Sequence, residues 1–286
     1  FVAGKMFVKP YKNYYTRWIV VKKTLSRIYL IILFAFLYAP VLTLIVFSFN
    51  NSKSRANWDG FTLKWYGQLF QDKQIMSSLY YTLLIALLSS LIATVAGTAA
   101  AVGIHGMKKV MKSFVMNITY LPVLNPDIVT GISLMILFIF IKLNLGFVTL
   151  LLAHIAFNIP YVILSVLPKL KQLNKHLYEA ALDLGAAPLK AFFKVILPEI
   201  MPGIITGFLL AFTLSVDDFI ISFFTTGSGV STLSITIYSM ARRGINPKIN
   251  ALSTLMFAVV LILLIIINKR SSSNGKDDAI KIGSLI

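Results

Sequence analysis

Lys169-Leu170-Lys171-Gln172-Leu173-Asn174-Lys175-His176-Leu177-Tyr178-Glu179-Ala180-Ala181-Leu182-Asp183-Leu184-Gly185-Ala186-Ala187-Pro188-Leu189-Lys190-Ala191-Phe192-Phe193-Lys194-Val195-Ile196-Leu197-Pro198 is a basic, helix-forming segment set between two long apolar runs. Leu177, Ala180, Ala181 and Leu184 recur at helical spacing, and Gly185 stands where a helix would end in a left-handed residue. Pro188 suits the first turn of a second helix, since its missing N–H would have no partner there. The spacing predicts two short amphipathic helices joined by a glycine turn and tethered between two spans. A unit of that kind can seat in a partner's groove as a solid lever.

The apolar runs outside this segment set the class of the molecule. A bilayer core about 30 Å thick needs about 20 residues of apolar helix. Six stretches qualify: 28–49, 76–104, 113–141 with interruptions at Pro122 and Pro126, 147–168, 199–225 and 249–268. With 57% hydrophobic residues, 13% charged and a mean hydropathy of +0.82, the chain is an integral membrane protein. The chain begins at Phe1, which reads as a trimmed or internal start. The first run is longer than the h-region of a signal peptide, about 7 to 15 residues, and no small-residue cleavage site follows, so it reads as a retained helix. Residues 1–27 mix cations with Tyr11, Tyr14, Tyr15 and Trp18, a composition suited to an interfacial segment on anionic lipid or to a disordered lead-in. Residues 269–286 are polar enough to be expected as a disordered tail.

Charge supplies the orientation. Of 27 Lys and Arg residues, 19 fall in the N-terminal segment, the 105–112 turn, the 169–198 loop and the tail, and 8 on the opposite side. The positive-inside rule then places both termini in the cytoplasm. The net charge of +17, which in a soluble chain would suggest nucleic acid, is mostly a topology signal, and no nucleic-acid partner is expected. With no Cys and three His, a disulfide scaffold, a cysteine nucleophile and a metal centre are all poorly supported.

Glu179-Ala180-Ala181, three residues, Gly185, nine residues and then Val195-Ile196-Leu197-Pro198 resemble the EAA loop of ABC importer permeases, with Val195 in place of the usual Ile. Further stretches, Trp58 to Tyr66, Pro126 to Val129, Phe212 to Asp218, Ile237 to Ser239 and Asn250 to Leu252, resemble the spermidine/putrescine importer permeases of the PotC type. The resemblance implies an all-α type I importer permease of six transmembrane helices in a bacterial plasma membrane. It further implies a second homologous permease subunit, two ATPase subunits and an external polyamine-binding protein. Glu179, Ala180, Ala181, Asp183, Gly185 and Ala186 would be the ATPase-coupling residues. No G-x-x-x-x-G-K-[ST] phosphate loop occurs, so no catalytic residues and no cofactor are expected in this chain, with ATP and Mg on the ATPase subunits.

Three acids fall inside the spans, each costing on the order of 2.5 to 3.5 kcal/mol on insertion scales: Asp127, Asp217 and Asp218. On the fifth span, read as one helix over 199–225, Ala211, Ser215, Asp218, Ser222 and Thr225 form a single small and polar stripe, expected to face a wet path. Asp218 is then the foremost candidate for touching cargo. Asp217, about 100° round the helix with Thr213 below it, is expected in a packed interface. His154, Asn158, Tyr161 and Ser165 form a second stripe, which can line the path or bond across helices. Tyr161 and Phe157 offer aromatic faces that attract ammonium groups. Asn125-Pro126-Asp127 reads as N-cap, first-turn Pro and a first-turn acid, placed by a break within the membrane.

The candidate pathway is therefore Asp218, Asp217, Asp127, Ser215, Ser222, Tyr161, Phe157 and Asn158, reached from a carrier docked on the 50–75 and 226–248 loops. Importers of iron or another cation are the alternative, and an ATP-independent transporter or channel the more distant one.

Overall fold

The computed structural model describes residues 10–53, 57–244, 246–258 and 261–262. Among these the regular elements are helical, with one isolated bridge between Asn50 and Phe61. Four helices are long and apolar enough to cross a bilayer: 25–48 within α1 (Pro10–Ser48), α3 (Lys73–Gly106), α6 (Phe147–Gln172) and the stretch Pro188–Asp217. A fifth candidate is the pair α4 (Lys109–Leu124) and α5 (Asp127–Phe140), bent by 105° at the break between them. The sixth expected span is helical over 247–258, and most of its remainder lies outside the described residues, as do residues 1–9 and the tail.

The chain divides into two compact units, one of residues up to Leu69 with those after Gly244, the other from Phe70 to Gly244. In the first, α1 is already helical from Pro10, so the 10–27 segment continues the first span instead of forming a loose lead-in. Every residue from Leu25 to Pro40 is exposed, which is the pattern of a helix apolar on all sides and suited to lipid or to another chain. After α1 the chain closes a tight loop. Asn51 N–H donates to Gly60 O at 2.9 Å and Thr62 N–H to Phe49 O at 2.8 Å. The Asn50 side chain bonds Asn57 O and Asp59 N–H, and Trp65 Nε1 donates to Asn50 O at 2.7 Å. Gly60 turns the loop at φ +93°, a conformation other residues adopt only under strain. The loop leads into α2 (Lys64–Gln71), which buries Trp65 and Leu69.

The second unit is built on α3, α6 and α9 (Leu197–Asp217), which pack on one another. Water-free association of helices relies on close backbone approach at small residues. A Cβ on Gly97 of α3 would lie 2.7 Å from Val162 Cβ, one on Gly203 of α9 2.8 Å from Lys169 Cγ, and one on Gly207 3.2 Å from Val162 Cα. Gly203, Gly207, Ala211 and Ser215 thus form one buried small-residue face of α9 against α6. Ala93, Ala101, Ile104, Val162, Val166, Ile200 and their neighbours fill the space between the three helices.

Between α6 and α9 stands the hairpin. α7 (Lys175–Asp183) is capped by Asn174, whose side chain accepts from His176 N–H. It ends with Gly185 N–H donating to Leu182 O at 2.8 Å and Ala186 N–H to Ala181 O at 3.1 Å, the paired bonds of a Schellman motif, with Gly185 at φ +82°. Pro188 opens α8 (Pro188–Ala191) as expected, but this helix is not a short separate piece. It runs through a π-helical turn, Phe192–Ile196, straight into α9. Pro198 accounts for the wider turn, since its ring crowds the carbonyl of Lys194 four residues back and it offers no N–H.

Candidate functional site

The stretch 199–225 is not one helix. α9 stops at Asp217, Asp218 is extended at φ −63° and ψ 131°, and a new helix, α10 (Ile220–Thr225), starts two residues later. No Gly or Pro stands at 217–219 to force the break. The Asp218 carboxylate holds it open: it accepts the N–H of Ile221 at 3.2 Å and of Ser222 at 2.7 Å, bonds that backbone carbonyls would accept in a continuous helix. Its other neighbour is His154, with Nε2 3.6 Å from Asp218 Oδ2. The side chain of Asp218 is only 6% exposed. Periodicity missed this because a helix-capping acid and a mid-helix acid look alike when the residues around both are apolar.

The polar groups of the stripe meet inside the protein. His154 Nδ1 lies 2.7 Å from Ser215 Oγ, and Nε2 3.0 Å from Ser222 Oγ. Asn158 Nδ2 donates to Ser215 Oγ at 3.0 Å and to Ser89 Oγ at 3.3 Å, and Ser89 and Ser215 are 3.0 Å apart. Ala211, Ser215, Ser222 and Thr225 are buried, so this face is packed and not the wet one expected. The network fastens α3, α6, α9 and α10 together, bonds worth about 0.6 to 2 kcal/mol each within a membrane. Asn158 Oδ1, fully buried, has no hydrogen-bond partner. Ser89 escaped the sequence reading although Ser89-Ser90 is a polar pair inside the second span, which was the available signal.

Of the remaining candidates, the two acids are open to the surroundings. Asp217, expected in a packed interface, is exposed as the last residue of α9 and makes no ion pair among the described residues. Asp127 is exposed at the first position of α5. The cap preceding it is Pro126, while Asn125 closes α4 by donating its N–H to Leu121 O, so the capping frame is one residue later than expected. Asp127 lies within electrostatic range of the half-buried Tyr161, whose ring is 5.2 Å from that of buried Phe157. Ser165 bonds its own helix, donating to Tyr161 O. Among the described residues there is no cluster of His, Asp and Glu that could hold a metal ion.

Comparison with known proteins decides what this frame belongs to. The family described as binding-protein-dependent transport system inner membrane component matches residues 93–270. The chain belongs to that family. It is 42% identical over 249 residues to the putrescine transport system permease protein PotI of Escherichia coli K12, covering 84% of this chain and 88% of that one. It is 38% identical over 230 residues to the spermidine/putrescine transport system permease protein PotC of the same strain, covering 80% and 87%. A crystal structure of a bacterial ABC transporter involved in the import of the acidic polysaccharide alginate superposes with a TM-score of 0.68 at 20% identity, covering 93% of this chain and 99% of that one. At that identity the likeness concerns fold, and the expected all-helical importer permease is the one observed.

In the permease the hairpin presents its residues outward. Glu179 pairs with His176 across one turn at 3.3 Å, both side chains well exposed, and Leu184 and Leu189 stand out from either side of the Gly185 turn. Ala180 is exposed and Ala181 half-buried. An apolar tip exposed on a polar hairpin is ordinarily covered by another protein.

Proposed function

We propose that this permease carries polyamines, taken from an external binding protein, into the cytoplasm, in a complex with a second permease and two ATPase subunits. The reading rests foremost on the 42% identity, nearly end to end, with a putrescine permease. The site chemistry supports it. Asp217 sits at the negative end of the α9 dipole, where a carboxylate is disfavoured by about 0.3 to 1 kcal/mol, and an alkylammonium group passing there relieves that repulsion. Asp127 with Tyr161 and Phe157 provides a second acid beside an aromatic face. Asp218, Ser215, Ser222 and Asn158 shape this path by holding the α9–α10 break.

ATP-driven closure of the ATPase pair would push on Glu179 to Ala186, with both termini of the chain on that same cytoplasmic side. Because α8, the π-turn and α9 are continuous, the push travels to Asp217 without a joint. Gly203 and Gly207 carry it to α6, and the His154 network to α3 and α10. Few charges line the path, which keeps binding weak enough for release. The test is uptake of radiolabelled putrescine and spermidine by the complete importer in proteoliposomes loaded with ATP, with its carrier outside. ATP-dependent accumulation that is competed by polyamines and not by inorganic cations is expected, and accumulation of iron or an anion in their place would overturn the assignment.

A further inference from the structure

α10 has two unlike faces. Ile221, Ser222 and Thr225 turn inward and are buried, Ser222 on His154 and Thr225 through its carbonyl on Thr149. Phe219 and Phe223, one turn apart, face the other way, and their rings meet Tyr238 of α11 (Leu233–Arg242). The ring centroids are 4.8 Å apart for Phe219 and Tyr238, 5.5 Å for Phe219 and Phe223, and 6.3 Å for Phe223 and Tyr238. An apolar trio closing a core would be covered, yet Phe223 is 48% and Tyr238 42% exposed.

A cation is already seated on one of these rings. The Arg242 guanidinium carbon lies 5.9 Å from the Tyr238 centroid, and Arg242 has no carboxylate partner among the described residues. Asp217, also exposed and without an ion pair among the described residues, lies two residues before Phe219. Rings with exposed faces, a guanidinium held by one of them alone, and an acid close by in the chain together describe a receiving surface for a positively charged nitrogen.

We propose that Phe219, Phe223 and Tyr238 form an alkylammonium docking face, on which Arg242 stands as an intramolecular placeholder that incoming substrate displaces. The inference rests on the polyamine reading of this permease and extends it to residues outside the acids and the Tyr161 pair. An ammonium on a primary amine is smaller than guanidinium and can settle on the exposed faces of Phe223 and Tyr238, while Arg242 is tethered one turn along α11 from Tyr238.

The experiment is putrescine uptake by the complete importer in proteoliposomes, reading KM and kcat separately for Tyr238→Leu, Tyr238→Phe, Arg242→Gln and Arg242→Lys. Loss of the ring in Tyr238→Leu should raise KM by about two- to thirtyfold, the range that cation–π contacts convert to, while Tyr238→Phe stays near wild type. Arg242→Gln should lower KM, since substrate no longer displaces a cation, and Arg242→Lys should leave it unchanged. A wild-type importer that accumulates putrescine while Tyr238→Leu keeps its KM, or while Arg242→Gln fails to lower it, overturns this inference alone. A wild-type importer that accumulates no polyamine overturns the functional reading, and the docking face with it. Both positions are exposed, so loss of fold is not expected. Should Tyr238→Leu not assemble, the Arg242→Gln comparison decides.

Discussion

Replacing Asp218 by Ala separates the two jobs that an intramembrane acid can have in this permease. The side chain accepts two backbone N–H groups, those of Ile221 and Ser222, and both residues are fully buried. Removing it leaves two donors without partners in a place water does not reach, at about 1 to 3 kcal/mol each. The 3.2 Å bond is the weaker of the two, and α10 can partly relax toward a continuous helix, so a loss of about 2 to 4 kcal/mol is the working figure. At about 2 to 4 °C per kcal/mol for a chain of this size, melting should fall by about 4 to 16 °C. Asp218→Asn keeps one acceptor oxygen and should lose about half as much.

The assay is thermal unfolding of the intact complex in detergent, followed by tryptophan fluorescence, run beside Asp217→Ala. Asp217 is exposed and makes no ion pair among the described residues, so its melting curve should superpose on wild type. If Asp218→Ala melts with the wild type while Asp217→Ala falls, the capping geometry is wrong and Asp218 returns to the pathway. If both are stable and both lose uptake, the division of labour between neighbouring acids fails.

Three further outcomes follow from the same geometry. Asp217→Asn should raise the KM for putrescine by about two- to fivefold, the scale of one exposed charge pair, with kcat and melting unchanged; an unaltered KM removes Asp217 from the path. Gly185→Ala places a Cβ at φ +82°, at about 1 to 2 kcal/mol, and together with Glu179→Ala should let ATP hydrolysis proceed while uptake falls; a normal ratio of uptake to hydrolysis would remove the hairpin's role as lever. Gly207→Leu drives a side chain into Val162 and Ser165, whose nearest atoms are already 3.2 and 3.3 Å from where a Cβ would stand, so α6 and α9 should separate and yield of folded complex should drop; wild-type yield and melting would mean that this contact is not close.

The parts of the fold legible in the sequence were those carried by composition over many residues. Apolar length announced the spans, and Gly185 and Pro188 announced the hairpin because left-handed backbone and a missing N–H restrict residue choice so strongly. The 105° bend between α4 and α5 was marked by Pro122 and Pro126, although its angle was not, since proline removes a bond without setting where the chain goes next. The break at Asp218 carried no such mark. A side chain replaced backbone acceptors there, and substitution of one oxygen for another leaves no trace in hydropathy.

The stripe was read on the right face and assigned the wrong neighbour. Ser215 and Ser222 share a face whether the helix is continuous or broken, because His154 spans the gap and bonds to both hydroxyls. Polar periodicity therefore located the contact surface correctly and misassigned what it touches. Inside a membrane, a stripe of small hydroxyl residues satisfies a neighbouring helix as readily as it satisfies water. Distinguishing the two requires a partner with its own polar period in register. Here that partner was present in the sequence, since His154 and Asn158 on α6 have the four-residue spacing of Ser215 and the Gly203, Gly207 and Ala211 positions below it on α9. Two stripes of equal period on two spans point to a seam between those helices, and the acids left outside the seam, Asp217 and Asp127, are the exposed ones.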